Sequence, residues 1–400
     1  MNIDNPSLRA KNIRLRIYQP DAAPRCIGDS GPLVELHLRK TGILPAILKH
    51  PGIRLGTSYV HGDWDTDTLQ LPRLLQALLP AQNTPHDRLS RLGLTRLRTL
   101  VQLDIPPRWR DDDSDIARAC LGAERLHSCG WFREPDISLE EAQRIQRRAL
   151  LGQLQLRPGQ HLLNIDGGWG MLAVWLAEQA GVQVTAMVAT RKQLQFAQQL
   201  ARRHDMHLQV RFQLGDIRSC TGQFDRILGT SPCAQRQGTA LTLLKPVQQL
   251  LRSDGFAWLQ LIIRRHPGEL NNGWLQRQMN PPRPPLLSEL AATVEASQLR
   301  ALHLEDRSTH WLSTLENWAL RYQRRRDLIN RKFGAVPTRH WEFMLASQAA
   351  AMRDSQLGCY DILLGNVHCN WPSQHEPERL PGSRLALELN RALASLTRHR

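Results

Sequence analysis

The chain of 400 residues predicts an α/β fold, a parallel sheet covered by helices behind a smaller N-terminal α+β module. Three observations carry this. In HLLNIDGGWGM, His161 to Met171, a short apolar run meets Gly167, Gly168 and Gly170, and an apolar pattern at helical spacing follows. That is the strand, glycine turn and helix start in which main-chain N–H groups approach a ligand. From Ile137 onward, strand and helix patterns alternate, which requires crossover connections and a sheet buried on both faces. The length also exceeds that of a usual single domain, so two domains are expected.

Up to about residue 95 the chain alternates extended runs (IRLRIYQ, LVELHLR) with helical ones (ILPAILKH, LQLPRLLQALLPAQ). Inside this module, GTSYVHGDWDTDTL, Gly56 to Leu69, reads as turns around buried Tyr59 and Trp64. Residues 96–136 form a linker and lid, broken by the prolines and aspartates of IPPRWRDDDSD. The second domain, 137–366, opens with an amphipathic helix carrying a Ser138-x-x-Glu141 capping box. Strands are then expected at 161–166, 182–188, 208–213, 224–229, 255–263 and 299–305, with helices at 170–180, 191–204 and 240–252. A proline-rich insertion, GELNNGWLQRQMNPPRPPLLSEL, cannot be helical throughout. Helices at about 313–332 and 339–353 precede a last strand, Tyr360 to Leu364, and a basic tail occupies 367–400.

Lys and Arg outnumber Asp and Glu by 52 to 37, a formal charge of +15, so the surface should attract anions such as phospholipid headgroups. The seven cysteines make no CxxC pair and no metal-ligand spacing, as expected of reduced thiols in a cytoplasmic protein. No metal site is expected. The start has no signal-peptide pattern and no window is long and apolar enough to span a bilayer, so contact with a membrane is expected to be peripheral, at its inner face.

The order of elements resembles the Rossmann-like sheet of class I S-adenosylmethionine-dependent methyltransferases, and finer motifs resemble the cyclopropane-fatty-acyl-phospholipid synthases. GTSYVHGDWDTDTL resembles their G-x-S-Y-x-x-G-x-W-x-x-D-x-L, HSCGWF (127–132) their Y-S-C-A-Y-W, and LNIDGGWGM their L-D-I-G-C-G-W-G-G. VATRKQLQFAQ, GDIR and FDRIL follow in the family's order, and AMRDSQLGCYDILL looks like its F-R…W-Q-V-V-F ending. The resemblance implies S-adenosylmethionine as cofactor and methylene transfer to a cis double bond of a phospholipid acyl chain. A buried pocket then shelters a carbocation while a base removes a methyl proton. It further implies an N-terminal module that helps dimerise and meet an anionic bilayer, with no nucleic acid as partner.

By the same resemblance, Asp111, Asp166, Gly168, Gly170, Gln193 and Asp216 hold the cofactor, and Cys129 and Ile262 line the acyl and base pocket. The chain departs from the family elsewhere. Where the family binds bicarbonate as base, its glutamate and two other ligands are matched by Ala234, Gln235 and Gln260, and its tyrosine by Trp311. Asn164 stands in place of an aspartate, and Asp166 puts a carboxylate where a glycine belongs, repelling the methionine carboxylate or pairing with its ammonium. Two readings stay open: a lipid-directed methyltransferase, or a lapsed homologue acting as a lipid-binding or partner subunit of an active synthase.

Overall fold

The computed structural model describes residues 13–79, 114–134, 136–230, 240–268, 270–279 and 283–369. The chain divides into two compact units, Met1–Cys120 with Arg265–Pro284 and Leu315–Leu357, and Leu121–Arg264 with Pro285–Thr314 and Gly358–Arg400. The two segments 265–284 and 315–357, which the sequence reading places in the second domain, thus cluster with the N-terminal residues.

The first unit is built on strands β1 (Arg14–Gln19), β2 (Ala22–Ile27), β3 (Leu33–Leu38) and β4 (Trp64–Asp65), in the order β2-β1-β3-β4. Strand β3 alternates half-buried with buried residues, so one face carries Val34, Leu36 and Leu38 into the core. Helices α1 (Ile43–Lys49), α2 (Pro51–Val60) and α3 (Leu71–Leu78) cover that face. Gly56 to Val60, expected as turn, is the second half of α2; Pro51 at the helix start presets its backbone, and the turn begins only at His61. Tyr59 and Trp64 are fully buried, as the sequence indicates.

The motif's residues serve this core. A Cβ on Gly56 would stand 2.3 Å from the Trp274 ring, so only glycine admits that indole. Trp64 Nε1 donates to Ser58 Oγ at 2.9 Å, and Tyr59 Oη donates to Glu342 Oε2 at 3.0 Å. Arg339 lies 4.0 Å over the Tyr59 ring.

The second unit holds a seven-stranded sheet, β10-β11-β9-β8-β5-β6-β7. Its strands are β5 (His161–Asn164), β6 (Gln183–Val188), β7 (Val210–Leu214), β8 (Phe224–Gly229), β9 (Leu251–Arg264), β10 (Arg300–Asp306) and β11 (Leu357–Gly365). β5 pairs in parallel with β6 and β8, β6 with β7 and β8 with β9, whereas β10 pairs antiparallel with β11. This is the Rossmann-like α/β sheet the sequence predicts. After α4 (Ser114–Leu121), helix α5 (Leu139–Leu154) starts at the expected cap, where Ser138 accepts from the Glu141 amide. Helices α6 (Met171–Ala180), α7 (Arg191–Arg203) and α8 (Ala240–Leu250) are the crossovers, and α9 (Gly273–Gln278) and α10 (Leu287–Ala296) come next along the chain. The single helix expected over 313–332 is instead α11 (Ser308–Arg324) and α12 (Arg326–Phe333), interrupted at Arg325.

Candidate active site

At the carboxyl end of β5 the chain turns sharply, with Gly167 N donating to Met187 O at 2.7 Å and Gly170 N to Gly167 O at 2.8 Å. Gly170 has φ +88 and a Cβ there would meet Ala197 at 2.7 Å, so this glycine lets the start of α6 approach α7. Gly168 differs: at φ +52 its nearest neighbour would be Asp166 O at 3.8 Å, which leaves main chain open on that side. Asn164 is 1% exposed, and its Oδ1 accepts from the Asp166 amide at 3.2 Å. Its Nδ2 is buried without a partner among the described residues. A donor so placed is paired in most folded proteins, so it marks a place for a ligand acceptor. Asp166 is half-buried beside it.

Two other expected cofactor contacts are engaged within the protein. Gln193 is buried on α7 and its Oε1 accepts from Ala189 N at 3.1 Å. Asp216 caps the turn at 217–219 through Arg218 N at 2.9 Å, and both its oxygens take the Arg218 guanidinium, at 3.0 and 2.7 Å. Asp111, Ala234 and Gln235 lie outside the described residues.

The expected pocket residues Cys129 and Ile262 are both buried. Around Cys129 a polar chain closes on itself. Cys129 N donates to Gln260 Oε1 at 3.4 Å, Gln260 Nε2 to Asp361 Oδ1 at 2.8 Å, and Arg307 Nε to Asp361 Oδ2 at 2.9 Å. Arg307 also reaches Glu305 at 2.6 Å and stacks 3.8 Å over Trp131. The ion pair is deep: Arg307 is 3% and Asp361 2% exposed. Burial pushes the Asp361 carboxyl up to about 6 against the pull of Arg307. His310 accepts the Phe132 amide at Nδ1, 3.2 Å, which requires an unprotonated nitrogen; burial, with the Arg307 charge, lowers that imidazole to about 4. The Cys359 thiol, hydrogen-bonded to Cys129, is raised by burial.

Gln260 stands where the resemblance places the histidine of the family's L-L-H-T-I-G. Sequence reasoning named neither Asp361 nor Arg307 as a site residue. The available signal was a lone carboxylate in the otherwise apolar run YDILL.

A parallel sheet with an antiparallel final pair, bearing an open glycine turn at the end of its first strand, defines a class I methyltransferase. Residues 110–362 match the family model described as mycolic acid cyclopropane synthetase, and the chain belongs to that family. It is 26% identical over 386 residues to a tuberculostearic acid methyltransferase of Mycobacterium tuberculosis, covering 89% of this chain and 88% of that one. It is 28% identical over 210 residues to the cyclopropane-fatty-acyl-phospholipid synthase of Escherichia coli, covering 50% and 53%. Among solved structures, the cyclopropane synthase MmaA2 of M. tuberculosis superposes with a TM-score of 0.57 at 22% identity, over 63% of this chain and 94% of that one. The cofactor of the family is S-adenosylmethionine, and the turn fits it: Gly168 offers bare main chain, Asn164 an unpaired donor, and Asp166 a carboxylate for an ammonium. No helix among the described residues is long and apolar enough to cross a membrane.

Proposed function

We propose that the protein transfers a methyl group to the double bond of an unsaturated acyl chain in a membrane phospholipid, and works from the inner membrane face. The turn at 164–170 carries this reading, because a buried Asn164 Nδ2 with no hydrogen-bond partner among the described residues and an open Gly168 lie together at the carboxyl end of β5. When bound, S-adenosylmethionine supplies the electrophilic methyl. Asn164 and the Gly168 main chain hold its carboxylate, and Asp166 its ammonium. Cys129 and Ile262 wall the acyl side, where a water-poor surface protects the cation left by attack of the alkene. One proton must then leave, so the lipid gains CH2.

The Cys129 amide is already taken by Gln260, and the glutamate, histidine and tyrosine that hold bicarbonate in the family are absent, so this anion does not fit here. Asp361, whose carboxyl burial pushes up to about 6, is the carboxylate bonded to Gln260 and Arg307 in this network and the candidate acceptor of the proton. The test is incubation with methyl-labelled S-adenosylmethionine and unsaturated phospholipid vesicles, followed by mass spectrometry of the acyl chains. Labelled chains heavier by one CH2 support the reading; unlabelled lipid with bound cofactor contradicts it.

A second reading, a homologue without turnover that serves as a lipid-binding or partner subunit, is favoured by Gln193 and Asp216. Both expected cofactor contacts are occupied by Ala189 and Arg218. Calorimetry separates the two, since absence of cofactor binding would leave only this second reading.

A further inference from the structure

Helix α12 and the residues flanking it carry an exposed face that mixes cations with aliphatic side chains. Arg324, Arg325, Arg331 and Lys332 are exposed there, and so are Leu328, at 46%, and Val336, at 38%. Leu328 lies one helical turn from Arg325, the N-cap of α12, on one side and from Arg331 and Lys332 on the other, so apolar and basic groups share one surface. Arg324, Arg325 and Arg331 make no ion pair among the described residues. The opposite side is fixed inward, with Ile329 fully buried and Arg326 paired to Glu342 at 2.6 Å. From 321 to 337 the only acid is Asp327.

We infer that this face docks the protein on an anionic lipid bilayer, with the cations at the headgroups and Leu328 and Val336 in the interface. The inference rests on the lipid reading above and adds the surface that meets the membrane. Charge complementarity selects the partner: the cations suit phosphate, and exposed aliphatic side chains gain free energy only where an apolar phase lies beneath it. A nucleic acid would satisfy the cations and leave Leu328 and Val336 in water.

The experiment measures sedimentation of the full chain with vesicles of phosphatidylglycerol and phosphatidylethanolamine. It compares the wild type with Arg325→Glu/Arg331→Glu, with Leu328→Ser, and with Arg202→Glu/Arg203→Glu, an equal charge change at the exposed end of α7. The first variant is expected to bind roughly tenfold or more weakly, and Leu328→Ser roughly threefold more weakly. The α7 control, an equal charge change outside this face, should stay within about twofold. Thermal melts confirm that each variant folds.

Vesicle binding by Arg325→Glu/Arg331→Glu equal to wild type overturns the inference, as does a variant that loses binding to duplex DNA while keeping the vesicles. Methyl transfer to the same lipid in neutral detergent micelles separates this result from the activity. If vesicle binding falls in the variant while the wild type methylates nothing in micelles, docking stands and the reaction assignment fails. If micellar transfer proceeds and vesicle binding is indifferent to these residues, the reverse holds.

Discussion

The motif at 56–69 and the turn at 164–170 are both glycine-bearing and both resemble a family signature, yet the space over their glycines is used differently. In the first, Ser58, Tyr59 and Trp64 each find a partner inside the unit, and the space over Gly56 is filled by Trp274. In the second, Asn164 keeps a buried donor unpaired and the space over Gly168 is empty of neighbours to 3.8 Å. A buried donor left unpaired calls for a partner, and beside open main chain at a strand's carboxyl end a ligand is placed to supply it. The network at Cys129, Gln260, Asp361 and Arg307 is internally paired, yet it holds the carboxylate proposed to take the proton, so pairing within the fold does not by itself exclude chemistry.

Substitutions can break this contrast. The largest effect is expected for Arg307→Met, which leaves Asp361 buried and uncompensated and should destabilise the fold by about 3–5 kcal/mol in chemical denaturation. Gly56→Ala drives a methyl into the Trp274 indole and should cost about 1–3 kcal/mol, read as a lowered melting temperature. Gly168→Ala meets no neighbour and costs only about 1 kcal/mol for its positive φ, yet should abolish cofactor binding by calorimetry. If Gly168→Ala instead binds like wild type, the turn is architectural and the contrast fails.

The smallest effect sharpens the picture through pH. A carboxyl raised to about 6 in the folded protein disfavours folding above that pH, and the penalty disappears as pH falls through 6 toward the unfolded value. Asp361→Asn should therefore lose the gain in stability that wild type shows between pH 7 and 5, with little change in fold. It should also remove any methyl transfer that rises through pH 6, as a positioning role alone would not.

The sheet was legible in the sequence because crossover helices and apolar strands leave strong periodicity, and Gly168 and Gly170 were legible because glycine spacing is a local signal. The site was less so. Asp361 and Arg307 lie 54 positions apart and meet only when β11 and the residue after β10 come together. Whether Gln193 and Asp216 face a ligand depends on side-chain partners four and two residues away, Ala189 and Arg218, which motif matching does not weigh. The helical half of GTSYVHGDWDTDTL was missed for a related reason, since Pro51 starts its helix five residues before the motif begins.

The most direct test is calorimetric titration of the wild type and of Asp166→Gly with S-adenosylmethionine. With Asp166 paired to the ammonium, the wild type should bind in the micromolar range and Asp166→Gly more weakly. No heat from the folded wild type, with binding restored in Asp166→Gly, would contradict the account and identify a turn that has given up its cofactor.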